Sequence, residues 1–253
     1  VMATDKSITA NFVEAICLNV SLEATADTHM RSGYNRGDYN YGGSPLFRLN
    51  PYYQQGSDDG QLTGALLRWD ELGSTIPPEA AVNSASITFN VTDGSDNAYN
   101  LYNLRRSWIE GSNNGATGTG ASWNYYGAGT GSWATAGAQN TSSDRYNTNL
   151  WDADASDFNQ TGEVTLALNQ DGLNVIQGWL NGTTANYGLT IQNYNGTAVD
   201  VWEAASRENT NYDGPTLNIT YCIPDLRNIT KEVDQTEASP GETLTYTISD
   251  ISY

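Results

Sequence analysis

Apolar and polar residues alternate at Ala85-Ile87-Phe89-Val91, Val164-Leu166-Leu168, Tyr187-Leu189-Ile191 and Leu217-Ile219-Tyr221, and Gly, Asn, Asp or Pro bound each run. A period of two turns one face to a core and the other to solvent, so these runs predict half-buried strands. Leu173, Ile176, Trp179 and Leu180 fall instead at helical spacing. With Asp171 as N-cap and Gly182 just past the end, they predict one short helix. Strands at short intervals, separated by long polar loops and almost without helix, predict an all-β fold of two packed sheets rather than βαβ units. Between Gly111 and Asn149 the chain becomes Gly, Ser, Thr, Ala and Asn with interspersed aromatics, which reads as a long excursion; residues 50–60 read as a second polar insertion.

The pattern changes after Tyr221. Pro224-Asp225-Leu226 reads as a linker dividing a main domain, residues 1–223, from a C-terminal strand extension, residues 224–253. In the extension Thr243, Thr245 and Thr247 alternate with Leu244, Tyr246 and Ile248, giving a strand with one apolar face that must be covered. About thirty residues cannot bury a core alone. A neighbouring copy would cover this face by strand addition, linking subunits into a homopolymer. The alternatives are a tail packed on its own domain, or the opening of a larger domain.

Composition narrows the partners. The 253 residues suffice for a full core, and 11 basic against 29 acidic residues give a net charge of −18. Coulomb repulsion then argues against nucleic acid and anionic membrane surfaces, and no apolar run approaches the roughly 18 residues of a membrane span. The first residues lack the charged and apolar regions of a signal peptide, so the chain reads as mature and soluble. Cys17 and Cys222, the two cysteines, flank the strands that open and close the main domain and suit a disulfide clasp in an oxidising compartment; the alternative is two buried thiols. N-glycosylation sequons begin at Asn19, Asn90, Asn140, Asn159, Asn181, Asn195, Asn218 and Asn228.

Candidate chemistry is sparse. With His29 as the sole histidine, a zinc hydrolase lacks its ligands, and no nucleophile elbow, P-loop or dinucleotide fingerprint is present. Glu203 with Glu208, or Asp70 with Glu71, are the candidate carboxylate pairs for glycoside hydrolysis. Arg68-Trp69-Asp70 and Arg207-Glu208 read more naturally as structural ion pairs, so no catalytic residue is assigned. Asp152, Asp154, Ser156 and Glu163 space oxygen ligands as a calcium loop does, but Asp157 replaces the turn glycine; the reading is a loose calcium site or else a solvated acidic loop. No other cofactor is expected. Trp123, Tyr125, Tyr126 and Trp133 offer flat faces for a glycan or a neighbouring subunit, or else pin their loop to the domain. Arg31, Arg36 and Arg48 are the one basic cluster that would meet an acidic polysaccharide.

A spaced series of short motifs runs through the chain: Ala24-Thr25-Ala26-Asp27-Thr28, Asn40-Tyr41-Gly42, Ala65-Leu66-Leu67-Arg68-Trp69-Asp70, Ser107-Trp108-Ile109-Glu110-Gly111, Trp179-Leu180-Asn181-Gly182-Thr183, Asn186-Tyr187-Gly188-Leu189 and Ser206-Arg207-Glu208. From about Leu22 to Tyr221 the chain thereby resembles the DNRLRE, or disaggregatase-related, domain. The resemblance implies a non-catalytic β-jelly-roll module of prokaryotic secreted and surface proteins, some described as carbohydrate-binding. The segment from Ile229 to Ile248 resembles the opening strands of an immunoglobulin-like repeat of prokaryotic surface proteins. Together these imply an extracellular structural module, the subunit of a cell-surface fibre or matrix; the alternative is a carbohydrate-binding module.

Overall fold

The computed structural model describes residues 15–33, 36–56 and 61–224; the expected linkage residues Leu244, Tyr246 and Ile248, and the sequon at Asn228, lie outside the described residues. Fourteen strands follow in order: β1 (Ala15–Glu23), β2 (Ala26–Arg31), β3 (Tyr39–Asn40), β4 (Leu46–Leu49), β5 (Thr63–Arg68), β6 (Ala81–Asp93), β7 (Asn100–Asn103), β8 (Ala116–Thr117), β9 (Tyr125–Gly127), β10 (Gly131–Ser132), β11 (Gly162–Ala167), β12 (Leu189–Gln192), β13 (Trp202–Ala205) and β14 (Thr216–Pro224). Three helices accompany these strands among the described residues, α1 (Leu72–Thr75), α2 (Ala155–Phe158) and α3 (Gln170–Leu180).

Each alternating run of the sequence lies in or against a strand, with β12 beginning at Leu189 because Gly188 takes a φ of 84° that a ladder residue does not adopt. The helical spacing yields α3, but its N-cap is Asn169, whose Oδ1 accepts the Gly172 N–H at 3.1 Å, rather than Asp171, which sits in the first turn. Two four-residue helices, α1 and α2, join the one helix that spacing revealed, being too short to show a period.

The main strands form an antiparallel two-sheet sandwich. One sheet has the order β1-β14-β6-β13-β4 with β11 also paired to β6; the other has the order β2-β5-β12-β7. From β4 to β7 and again from β11 to β13 successive strands switch sheets, a crossing that fits a jelly roll. At the heart of the sandwich Phe47, Phe89, Trp202, Phe158, Trp151 and Tyr99 pack with ring centroids 5.1–5.9 Å apart. Trp69, Trp108, Trp179 and Trp202 are all buried.

β1 and β14 close the domain. Their register sets Ala15 opposite Pro224 and Glu23 opposite Thr216, and Cys17 lies directly across from Cys222, to which it is disulfide-bonded. Among the described residues no helix is long and apolar enough to cross a membrane.

The 104–146 excursion is an added layer. Leu104, Trp108, Ala121, Trp133 and Ala138 pack with Ala26, Met30 and Leu66 into a second apolar cluster on the outer face of the smaller sheet. Asp144, fully buried, fastens this layer by accepting the N–H groups of Ala134, Thr135 and Asn140 and pairing with Arg106 at 3.3 Å.

Candidate functional site

Cross-strand partners share a sheet face, so the pairing of Asp27 with Leu67 and His29 with Ala65 places Asp27, His29 and Arg31 on the inner face of β2, at the rim of the sandwich. Alternation sends Ala26, Thr28 and Met30 the other way. Because β2 is an edge strand, a row of ionisable residues pointing inward disfavours pairing with another chain. His29 stacks on Tyr41 at 4.3 Å, and burial together with the nearby Arg31 and Arg48 charges holds its pKa well below the usual histidine range.

Around Asp27 the motifs converge. Glu110 Oε1 accepts the Asp27 N–H at 2.7 Å, and Asp27 Oδ2 accepts the Arg207 N–H at 2.8 Å. Arg207 Nη1 donates to Glu110 Oε2 at 3.1 Å and to Glu208 Oε1 at 3.0 Å. Carboxylate oxygens of Asp27, Glu110 and Glu208 all lie within 4.8 Å of one another, the one such group among the described residues. Burial first, and then the charges of Glu208 and Glu110, push the Asp27 carboxyl up to about 8, against the opposing bond from the Arg207 N–H. Glu208 is also raised, by burial and by Glu110. Glu110 and Glu208 thus share the Arg207 guanidinium, while buried Asp27 takes the Arg207 backbone N–H and holds its proton more tightly than an ordinary aspartate.

The remaining motifs brace this knot. The buried Asn40 amide donates to the carbonyls of Glu110 (2.5 Å) and Ala121 (2.9 Å), while its Oδ1 accepts the Asn113 N–H at 3.1 Å. Gly111, at φ 78°, lets the chain turn tightly past Asn40. Arg68 donates to the Trp108 carbonyl (3.0 Å) and pairs with Asp70 (2.9 Å); Trp108 Nε1 donates to Tyr187 O (2.9 Å), and the Asn186 amide to Trp69 O (2.7 Å). Six of the seven motifs therefore meet in one bonded network. Asn40→Ala removes three buried bonds and is expected to destabilise by about 2–3 kcal/mol, with limited proteolysis reporting early cleavage between residues 111 and 121; unchanged cleavage would show the bonds to be idle.

Chemically, the knot holds backbone. Arg207 Nη1 already lies between Glu110 and Glu208, where a bound cation would have to sit, and Asp27 is 1% exposed, out of reach of a substrate. Glu203, proposed as a partner for Glu208, is paired instead with Arg48 on the larger sheet. Asp70 is engaged by Arg68 and Thr25. Of the expected calcium ligands, Asp154 caps α2 by accepting both the N–H and the hydroxyl of Ser156, Asp152 accepts from the Asn169 amide, and Glu163 lies on β11 opposite Asn90. Asp27 and Glu110 were not singled out as site residues from the sequence; their places within the quoted motifs were the available signal.

The loop aromatics are largely occupied. Trp133 is 4% exposed and bonds Ser122 O through Nε1 at 2.9 Å, so its ring is spent inside the chain. Half-buried Trp123 and Tyr126 meet Tyr194 and Trp133 edge-on at 5.0 and 5.8 Å, and Tyr125 is half-buried on β9. Arginines cover four tyrosine faces: Arg106 over Tyr126, Arg105 over Tyr146, Arg145 over Tyr102 and Arg31 over Tyr41, at 4.8, 3.7, 3.8 and 5.8 Å. In the basic cluster Arg31 is buried and Arg48 is ion-paired. A shallow cavity of about 180 Å³, lined by Leu104, Arg105, Tyr146, Thr183, Thr184 and Tyr187, lies below the size of a typical ligand pocket.

No family model matches this chain, and no curated protein matches it.

Proposed function

We propose that this chain is a non-catalytic extracellular structural module, a subunit of a surface fibre or matrix whose copies are linked by strand addition. The observation that carries the reading is where the motif side chains go: Asp27, Asn40, Arg68, Glu110 and Asn186 all bond to the chain's own backbone, and Arg207 bridges Glu110 and Glu208, locking loops to sheets. A binding or catalytic site would direct some of these groups outward. The disulfide between β1 and β14 is compatible with an oxidising exterior.

Linkage is supported by the exposed edge of the larger sheet. Among the described residues β1 pairs with β14 alone, leaving its other edge open over nine residues. Its inward row runs from buried Leu22 through half-buried Val20 to Leu18, which is 42% exposed, and half-buried Ile16, beside half-buried Ile223 on β14. An open ladder flanked by an apolar shelf is what a strand bearing Leu244, Tyr246 and Ile248 on one face would need.

Removing residues 231–253 is expected to leave a folded monomer of the sandwich that no longer polymerises, as read by light scattering and electron microscopy. Leu18→Lys in the full chain is expected to weaken assembly by placing a charge on the shelf, at little cost to folding. Assembly that survives the truncation would overturn the linkage, and specific glycan binding by a monomer would favour the carbohydrate-binding module.

A further inference from the structure

The described sequons differ sharply in what their amide groups do. Three lie in strands. On adjacent β1 and β14, Thr220 Oγ1 donates to Asn19 Oδ1 and Ser21 Oγ to Asn218 Oδ1, both at 2.7 Å, so each sequon spends its hydroxyl on the other's asparagine. The Asn218 amide also donates to Thr88 Oγ1 at 2.9 Å, and the Asn90 amide to Asp213 O at 2.9 Å. At the end of α2, the Asn159 amide donates to Asp96 Oδ1 at 2.6 Å. Half-buried Asn140 uses its Oδ1 to accept from Ser142 N and from Ser143. Asn195 is exposed, but its Thr197 makes no bond to it.

Asn181 is arranged differently. It is the exposed C-cap of α3, and its Oδ1 accepts both the Thr183 hydroxyl at 2.8 Å and the Thr183 N–H at 3.3 Å. Among the described sequons it is the one whose own hydroxyl bonds its own amide, and Nδ2 makes no hydrogen bond to a described residue. Gly182 turns at φ 72°, and a Cβ built on it would meet nothing within 4 Å, so the middle of the tripeptide faces open space, while Thr183 Oγ1 also lies 3.4 Å from the Gly178 carbonyl.

An amide nitrogen is a weak nucleophile because its lone pair is delocalised into the carbonyl. A hydroxyl donating to Oδ1 stabilises negative charge on that oxygen and acidifies the Nδ2 protons, so a base can generate an imidate-like nucleophile. We propose that Asn181 is the N-glycosylated residue of the folded domain, taking its glycan from a polyprenyl phosphate- or diphosphate-linked oligosaccharide through a membrane transferase. The bond from Nδ2 to the anomeric carbon forms, the anomeric carbon–oxygen bond to phosphate breaks, the lipid phosphate departs with the electron pair, and one amide proton passes to a base of the transferase. Strand sequons cannot present the same turn without surrendering their ladder bonds.

This assignment rests on the extracellular reading, and the two are tested apart. Protein purified from its native source would be digested and its glycopeptides localised by electron-transfer fragmentation, while protease treatment of intact cells reports exposure. The expected result is a hexose-containing modification on Asn181, unmodified Asn90 and Asn218, loss of the Asn181 glycan in Thr183→Ala and its retention in Thr183→Ser. Cell-exposed protein with Asn181 bare, or with glycan confined to other sequons, overturns the assignment and leaves the extracellular reading intact. Protein that is inaccessible on intact cells and unmodified overturns both.

Discussion

Replacing Cys17 and Cys222 together by Ser is expected to lower the unfolding free energy by about 2–5 kcal/mol and the thermal midpoint by roughly 4–20 °C. The bond spans a sequence separation of 205. In the chain-entropy picture, closing so long a loop removes about 5 kcal/mol of freedom from the unfolded chain, which sets the upper figure. Native packing contributes little to the loss, because Cys17 is exposed and Cys222 half-buried, so serine leaves no cavity. The effect therefore acts on the unfolded state and carries a signature beyond the midpoint: the variant's denaturant slope rises, since its unfolded chain exposes more surface. Equal midpoints and slopes in urea for the two proteins would show that the clasp contributes nothing.

The second expected result concerns proton uptake by the carboxylate knot. In the folded chain Asp27 holds its proton up to about pH 8, whereas an unfolded aspartate releases it near 3.8. Between these limits the native state binds more protons than the unfolded state, so stability falls as pH rises. The contribution is fully present below about pH 4 and lost above about pH 8, and each unit of separation is worth ~1.4 kcal/mol. Asp27→Asn imitates the protonated acid and keeps an oxygen for the Arg207 N–H. Comparing urea midpoints at pH 5 and pH 8, the wild type is expected to lose a few kcal/mol more than the variant over this interval, and the variant to be the more stable at pH 8. Parallel pH profiles would place the proton elsewhere.

Much of the sandwich was legible because a period of two is a local signal. Ile87, Phe89, Leu166, Leu217 and Ile219 announce their own burial within a few residues, and α3 announces itself through Ile176, Trp179 and Leu180. The cysteine pairing was legible for a related reason, since both residues flank strands that the alternation defines. The knot was not. Its bonds join residues 83, 97 and 180 positions apart, and nothing in the neighbourhood of Asp27 reveals that Glu110 and Arg207 will meet it. The quoted motifs contain these residues without stating their partners. The excursion misled in another way: its Gly, Ser and Asn content suggests an open loop, but Asp144 collects three backbone N–H groups and turns the segment into a fastened layer, drawing Trp133 inside. An acidic residue in a polar stretch carries no local mark of such a role.

The antiparallel pairing of β1 with β14 has a mechanical consequence. The ends of the two strands, Ala15 and Pro224, lie side by side, so a pull on both would peel the strands apart from that end, one ladder pair at a time, the weakest geometry in which a sheet bears load. Only the pairs at Ala15 and Ile16 precede the covalent link at Cys17 and Cys222. Tension between these two ends would thus cross through two sulfur atoms, and the domain between them would hang from the load path as a slack, folded loop. For a load applied at these two ends, the sandwich would keep its shape for as long as the surroundings kept the disulfide oxidised.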